Sequence, residues 1–377
     1  MNTQAIPPEL EGAELARAVA DIPLAEIDVS RPSLFQSDKV GIFFKRLRRE
    51  DPVHYCADSA YGPYWSITKY NDIMAVDTNH KVYSSEAKLG GIAIQDMHSD
   101  QVNLELEMFI AMDQPKHDAQ RKAVTPAVTP SNLMLLEPVI RERAGAILDS
   151  LPVGEEIDWV KSVSVELTTM TLATLFDFPW EERARLTRWS DVTTAIPGAG
   201  IVDSFEQRRE ELIECALYFK GLWDQRIDNP GGNDLISMMA NSPATREMPF
   251  PEFLGNLLLL IVGGNDTTRN SISGGVLALN QHPDQYDKLR RDRALISSMV
   301  PEIIRWQTPL THMRRTALED SEIGGKRIAK GDKIVMWYLS GNRDETVIDH
   351  PEELIIDRKN PRQNLSFRYG IQRCMGN

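Results

Sequence analysis

Asn364-Leu-Ser-Phe-Arg-Tyr-Gly-Ile-Gln-Arg-Cys-Met-Gly-Asn377 places one cysteine between glycines at the end of a long acidic chain. Because glycine has no Cβ atom, Gly370 and Gly376 allow the backbone beside Cys374 to approach a flat cofactor closely and to direct amide N–H groups at the sulfur. Such a loop is typical of a cysteine thiolate that ligates a cofactor metal. A small buried cysteine is the alternative, since free cysteines are commonly buried. Motifs elsewhere in the chain must decide between them.

Charge and cysteine usage exclude several classes of protein. The 377 residues carry a formal net charge of −13, so nucleic acid and anionic membranes are unfavourable general partners, since phosphate neutralisation needs a basic face. Cys56, Cys215 and Cys374 are far apart and form no Cys-x-x-Cys pair, which argues against a disulfide framework and structural zinc and favours a reducing compartment. No signal peptide is visible at the N-terminus. We expect a cytoplasmic protein without a transmembrane anchor.

The residue pattern predicts a mainly α fold with small β-sheets, in one domain over residues 1–377 whose first 33 residues are loosely ordered. Short strands are predicted at 53–57 and 64–68, followed by a helix at 70–78. Amphipathic helices are predicted through 133–239, with interruptions at 178–180, 195–200 and 229–233. Residues 251–280 predict one helix of roughly 45 Å, whose apolar run is too short to span a bilayer.

Three pairs of polar residues stand out on predicted helices. Asp266 and Thr267 directly follow two glycines inside the long helix, where each glycine costs about 1 kcal/mol relative to alanine. The alternative there is a packing glycine with a helix-bending threonine. His117 and Arg121 are four residues apart and share one helix face, so together they can hold a carboxylate; a solvated face is the alternative. Glu302 and Arg305 share another face, a pair that many proteins contain.

In their order along the chain, these motifs resemble the cytochromes P-450, the haem-thiolate monooxygenases. The resemblance rests on Phe-x-x-Gly-x-x-x-Cys-x-Gly, on residues 263–267, on Glu302-x-x-Arg305 and on Asn342-Arg-Asp344. It implies that Cys374 ligates the iron of haem b, that Asp266 and Thr267 deliver protons during activation of O2, and that Glu302 and Arg305 are structural. The haem-binding residues that it implies are His117, Arg121, Arg315, Phe367, Gly370 and Gly376.

Longer runs resemble the bacterial alkane-hydroxylating cytochromes P-450, namely residues 263–270, 303–309, 312–315 and 337–343. This implies terminal hydroxylation of medium-chain n-alkanes, with electrons from NAD(P)H through ferredoxin reductase and ferredoxin. The candidate pocket residues, each of which has core packing as its alternative, are Ile92, Ile94, Leu259, Val262, Gly263, Leu310 and Thr311. A peroxygenase that uses hydrogen peroxide and a non-catalytic haem-binding or sensor protein remain alternatives.

The chain departs from the family pattern at three positions. The family usually has glycine after the Phe of the cysteine loop and His or Arg two residues before the Cys, where this chain has Arg368 and Gln372. Gln372 cannot neutralise a haem propionate. Pro301 lies inside a predicted helix, at a cost of about 3 kcal/mol unless the helix starts or kinks there. The chain also ends three residues after Cys374, so we expect a fold truncated after this loop.

Overall fold

The computed structural model describes residues 9–97, 106–228 and 231–376. This part of the chain is mainly helical with two small sheets, which confirms the predicted fold class. The α-helices are α1 (Gly12–Asp21), α2 (Pro32–Gln36), α3 (Val40–Glu50), α4 (Tyr70–Thr78), α5 (Lys116–Val124), α6 (Pro130–Asp149), α7 (Glu166–Phe176), α8 (Ala184–Thr194), α9 (Phe205–Arg226), α10 (Leu235–Asn241), α11 (Phe250–Gln281), α12 (Pro283–Arg291), α13 (Ile296–Gln307) and α14 (Tyr338–Gly341). The strands are β1 (Val53–Cys56), β2 (Tyr64–Ile67), β3 (Tyr83–Ser84), β4 (Met313–Ala317), β5 (Ser321–Ile323), β6 (Lys326–Ile328) and β7 (Lys333–Met336). Short 3₁₀ helices cover Leu24–Glu26, Ala87–Leu89, Phe109–Ala111, Thr125–Val128, Trp180–Glu182, Arg293–Leu295 and Gly370–Gln372, and a π-helical turn covers Val160–Val165.

The chain forms two compact units. The first comprises residues 1–96 and 282–374, and the second comprises residues 97–281 and 375–377. Each unit contains a cluster of buried apolar side chains. The single domain expected from the sequence therefore stays a prediction.

The first unit contains a five-stranded sheet in the order β1-β2-β7-β4-β3. Strand β2 runs parallel to β7, and the other neighbours are antiparallel. The strands predicted at 53–57 and 64–68 and the helix at 70–78 are confirmed to within a residue. Strand β7 ends at Met336, because Trp337 turns the chain and Tyr338 starts α14.

A separate hairpin joins β5 to β6 across Gly324 and Gly325. Both glycines have positive φ, +54° and +78°. Two consecutive positive-φ residues match the twist of a two-residue hairpin and favour glycine.

The expected loose order of the N-terminus is wrong for residues 9–33. Val19, Ile27 and Val29 are at most 1% exposed in the core of the first unit. The guanidinium of Arg46 donates to the carbonyls of Val19 and Ile22. The polar composition of this segment suggested loose order, but its few apolar side chains are buried in the core of the first unit.

Helices α5 to α11 form the second unit, in which α11 spans 32 residues, or about 48 Å. Its predicted bounds, 251–280, are confirmed to within one residue. The helices are interrupted near 178–180 and 195–200, as predicted. Residues 229 and 230, in the third predicted interruption, lie outside the described residues. None of the described helices is long and apolar enough to cross a membrane.

Pro301 lies within α13, five residues after the helix begins. The helix therefore does not start at this proline. Because proline has no amide N–H, the carbonyl of Ser297 loses the helical bond that residue 301 would otherwise donate. The remaining residues of α13 still place Glu302 and Arg305 on one face.

Candidate functional site

The cysteine loop lies in the first unit and is held by its own backbone and by Asn342. The amide of Cys374 donates to the carbonyl of Phe367 at 2.8 Å. The side chain of Asn342 accepts from the amide of Leu365 at 2.7 Å and donates to the hydroxyl of Ser366 at 3.0 Å. The free thiol of Cys374 is half-buried. The loop is thus fixed at several points and holds Cys374 half-buried.

Gly370 is needed for a close approach between the loop and α4. Its φ is +66°, and a Cβ atom at this position would lie 2.5 Å from the carbonyl oxygen of Asp77. One residue earlier, the amide of Tyr369 donates to Oδ2 of Asp77 at 2.8 Å. Gly376, on the other side of the cysteine, is exposed. The backbone at Gly370 therefore makes a close approach, as predicted, but the group that it approaches is α4 of the protein.

Arg315 is paired within the protein. Its guanidinium pairs with Oδ1 of Asp77 at 2.6 Å, and both side chains are at most 2% exposed. A second guanidinium nitrogen donates to the carbonyl of Arg314 at 2.7 Å. This buried ion pair joins β4 to α4. The haem-binding role expected for Arg315 stays a prediction.

Glu302 and Arg305 form a fully buried bidentate ion pair, with nitrogen–oxygen distances of 2.8 and 2.9 Å. Arg358 approaches the same carboxylate at 2.9 and 3.2 Å, and the amide of Ile355 donates to it at 3.0 Å. Burial alone would raise the pKa of Glu302, but the hydrogen bonds from Arg305 and Arg358 hold it below its usual value.

Arg305 also ties distant segments of the first unit together. It donates to the carbonyls of Asn342 at 2.8 Å, Pro351 at 2.9 Å and Glu353 at 3.0 Å. Since Asn342 in turn holds the cysteine loop, the ion pair supports the loop through one intervening residue. This geometry agrees with the structural role that the sequence predicts for Glu302 and Arg305.

In the second unit, α5 places His117 and Arg121 on one face, as their spacing predicts. His117 is 1% exposed, and its Nδ1 lies 2.7 Å from Oδ1 of Asp118. Its ring meets the edge of Phe109 at a centroid distance of 6.3 Å. Arg121 is half-buried one turn later. Their assignment to a haem propionate stays a prediction.

Asp266 and Thr267 lie near the middle of α11, and both are engaged. Oδ1 of Asp266 accepts from Arg269 at 2.6 Å, and Arg269 also donates to Asp191 on α8 at 3.0 Å. The hydroxyl of Thr267 donates to the carbonyl of Gly263 at 3.1 Å. This contact belongs to a helix-bending threonine, the alternative role that the sequence suggested. The threonine oxygen keeps lone pairs that can still accept a hydrogen bond.

The candidate pocket residues do not all have the same environment. In the second unit, Leu259 and Val262 are half-buried and Gly263 is exposed. In the first unit, Ile94 belongs to the core beside Trp337, which supports the packing role that the sequence left open.

Ile92, Leu310 and Thr311, also in the first unit, are half-buried. The hydroxyl of Thr311 lies 3.1 Å from Nδ1 of His312. Burial lowers the pKa of His312 to about 4, so its ring is neutral at neutral pH.

Sequence reasoning missed Asp77, Asp191 and Arg269. Asp77 meets Arg315 from 238 positions away, and Asp191 meets Arg269 from 78 positions away. No local motif marks such pairs, because their partners come together only through the tertiary fold. The signal available for Arg269 was its spacing of three residues from Asp266 on one helix.

Comparison with known proteins decides the family. The family model described as Cytochrome P450 matches residues 199–377. Linalool 8-monooxygenase of Pseudomonas putida is 36% identical over 357 residues, which cover 93% of this chain and 87% of that protein. The chain belongs to the cytochrome P450 family. Steroid C26-monooxygenase of Mycolicibacterium smegmatis is 32% identical over 88% of this P450 and 78% of that protein. The solved structure of Cytochrome P450-153 from Novosphingobium aromaticivorans superimposes with a TM-score of 0.86 at 46% identity, covering 93% of this chain and 87% of that one.

Membership of the cytochrome P450 family implies haem iron, O2 and NAD(P)H electrons that arrive through redox partners. The residues present fit this cofactor. Cys374 offers a free thiol in a fixed loop, and the guanidinium of Arg368 has an enclosed Nη1 without a hydrogen-bond partner among the described residues. Within the same part of the chain, no group of three or more His, Cys, Asp and Glu side chains is arranged to hold another metal ion.

Proposed function

We propose that this cytochrome P450 hydroxylates the terminal methyl group of medium-chain n-alkanes and related aliphatic chains. Electrons come from a ferredoxin and its reductase in the cytoplasm. The observation that carries the proposal is the arrangement of α11, where apolar side chains precede an acid and a hydroxyl on an open face. The runs that resemble alkane-hydroxylating cytochromes P-450 support the same substrate class.

The open face of α11 follows helical spacing. Residues 259, 262, 263 and 266 succeed one another at intervals that place them on one side of the helix. Leu259, Val262 and Asp266 are half-buried, and a Cβ atom added to Gly263 would meet nothing within 4 Å. In contrast, Leu258 is fully buried in the core of the second unit. An aliphatic substrate beside this face gains about 0.8 kcal/mol for each methylene removed from water.

Bound haem supplies the oxygen-insertion chemistry, and the protein residues position it and move protons. Cys374 holds the iron. Asp266, kept in place by Arg269, takes up a proton at its carboxylate, and Thr267 relays it through Oγ1. A peroxygenase has no need for this pair, so its presence favours the monooxygenase.

The test is the identity of the product. Octane is incubated with the haem-containing protein, ferredoxin, ferredoxin reductase and NAD(P)H, and the alcohols are separated by gas chromatography. We expect mainly 1-octanol. Mainly internal alcohols, or no alcohol while linalool or a steroid is oxidised, contradicts the substrate. If hydrogen peroxide alone gives as much product, the protein is a peroxygenase. If no substrate is oxidised, the protein is a sensor.

Two variants test the proton relay. Thr267→Ala should divert electrons to hydrogen peroxide, and Asp266→Asn should slow turnover without changing substrate affinity, because each removes one relay group from the open face. Thr268→Ala is the matched control, since Thr268 is exposed one position further along the same helix. Unchanged coupling in Thr267→Ala and an unchanged rate in Asp266→Asn would remove both residues from the mechanism.

A further inference from the structure

Arg368 has a strained backbone in the cysteine loop. Its φ is +61°, in the left-handed region that favours glycine. A non-glycine residue is strained in this region, and such strain persists only where the surroundings enforce it. The side chain is nevertheless drawn into the interior, since the residue is only 7% exposed. A strained backbone that buries a cation indicates that the guanidinium has a role.

The surroundings of Arg368 do not satisfy its guanidinium. Asp77 is the nearby carboxylate, but Arg315 holds its Oδ1 at 2.6 Å and the amide of Tyr369 holds its Oδ2 at 2.8 Å. Nη1 of Arg368 is enclosed and has no hydrogen-bond partner within the described residues. Burial lowers the pKa of Arg368, an effect that Tyr338 and Asp77 oppose. Asp77 is thus paired with Arg315, which leaves the guanidinium of Arg368 without an ion-pair partner among the described residues.

The same loop lacks a cation where the family pattern has one. Gln372, two residues before the cysteine, is 2% exposed and carries no charge. Arg373 is exposed. Cys374 lies close enough to Arg368 to act electrostatically on it. The buried positive charge of the loop is therefore carried by Arg368.

We propose that Arg368 binds a propionate carboxylate of haem and so replaces the cation that Gln372 cannot supply. The ligand chemistry follows from the site: an uncompensated guanidinium, beside a thiol that ligates haem iron, requires an anion. Guanidinium–carboxylate hydrogen bonds are among the strongest in proteins. The inference rests on the haem-binding part of the proposed function, and its test uses no substrate, so it fails or succeeds independently of alkane hydroxylation.

The test measures haem release from the holoprotein to an excess of an apoprotein that captures haem. Arg368→Gly, which removes the charge and the backbone strain together, should release haem about 10- to 100-fold faster, as expected for a lost charge-assisted hydrogen bond. Arg368→Gly combined with Gln372→His should recover most of the loss, because it returns a cation to the loop. If Arg368→Gly holds haem as tightly as the parent, the proposal is wrong.

Haem dimethyl ester separates carboxylate binding from a general effect on the thiolate. Esterification removes the propionate charge, so the parent and Arg368→Gly should release the ester at similar rates. If Arg368→Gly still releases the ester 10-fold faster than the parent, the arginine does not act through a propionate and the proposal is overturned. Arg368→Lys, which keeps the charge, should release haem at a rate between those of the parent and Arg368→Gly. Should the glycine variant fail to fold, Arg368→Gln, which has no charge, takes its place, and release from Arg368→Gln as slow as that from the parent contradicts the proposal.

Discussion

Replacing Glu302 by glutamine should destabilise the first unit strongly. The carboxylate is 0% exposed and accepts hydrogen bonds from Arg305, Arg358 and the amide of Ile355. Glutamine has nearly the same shape but no charge, so the equally buried Arg305 loses its counter-charge. Removing one partner of a buried ion pair costs about 3–5 kcal/mol, against a total stability of about 5–15 kcal/mol. For a unit of this size that corresponds to a fall of roughly 6–20 °C in Tm.

The assay is thermal unfolding followed by circular dichroism, with Glu137→Gln as the matched control. Glu137 forms an exposed i,i+4 pair with Arg141 at 2.9 Å, with both side chains more than 60% exposed. Exposed helical pairs contribute only about 0.3–0.5 kcal/mol, so the control should leave Tm almost unchanged. Equal shifts in the two variants would refute the reasoning, because burial would then add nothing to the effect of losing the charge.

Three further predictions follow from the same structure. The pKa of Glu302 is lowered in the folded protein, so its charge stabilises the fold above the unfolded pKa of about 4.3, and this stabilisation is lost as pH falls through the folded pKa. The difference in unfolding free energy between the parent and Glu302→Gln, measured by urea titration, should therefore shrink below about pH 4. Gly370→Ala should reduce haem content and Tm, because its Cβ would lie 2.5 Å from the carbonyl oxygen of Asp77 at a φ of +66°; Gly62→Ala, which has positive φ but open space, is the control, and equal losses would assign the effect to φ alone. Arg269→Ala should lower the product formed per electron about 10-fold or more, the equivalent of one charge-assisted hydrogen bond, because Asp266 loses its support; unchanged coupling would show that Asp266 needs no positioning by Arg269.

Local elements of this fold were predictable because they depend on neighbours in sequence. The strand–turn–strand at 53–67, helix α4 and the long helix α11 each follow from periodicity and turn residues within one segment. The same holds for pairs such as Glu302 and Arg305, which helical spacing alone brings together. What such reasoning finds is a helix face or a turn, and its bounds were right to within one or two residues.

Features that depend on tertiary contacts were not predictable. The N-terminal residues look polar, yet Val19 and Ile27 are buried, because a segment with few apolar residues can still contribute them to an existing core. Arg315 matched a motif, but its partner Asp77 comes from a helix more than 200 positions earlier. A motif match assigns a residue to a position, whereas the charge partner of that residue is set by whatever the fold places opposite it.

The two departures in the cysteine loop illustrate this difference. Considered separately, Arg368 introduces backbone strain and Gln372 removes a positive charge, so each substitution alone would weaken haem binding. In the structure the two changes compensate each other in charge: the loop loses a positive group at 372 and gains a buried, unsatisfied one at 368. A single reversion to the family residue at 368 should then harm haem retention, although it removes strain. Reversion at both positions should recover most of the haem retention, and this dependence of one substitution on the other is the signature of a shared ligand.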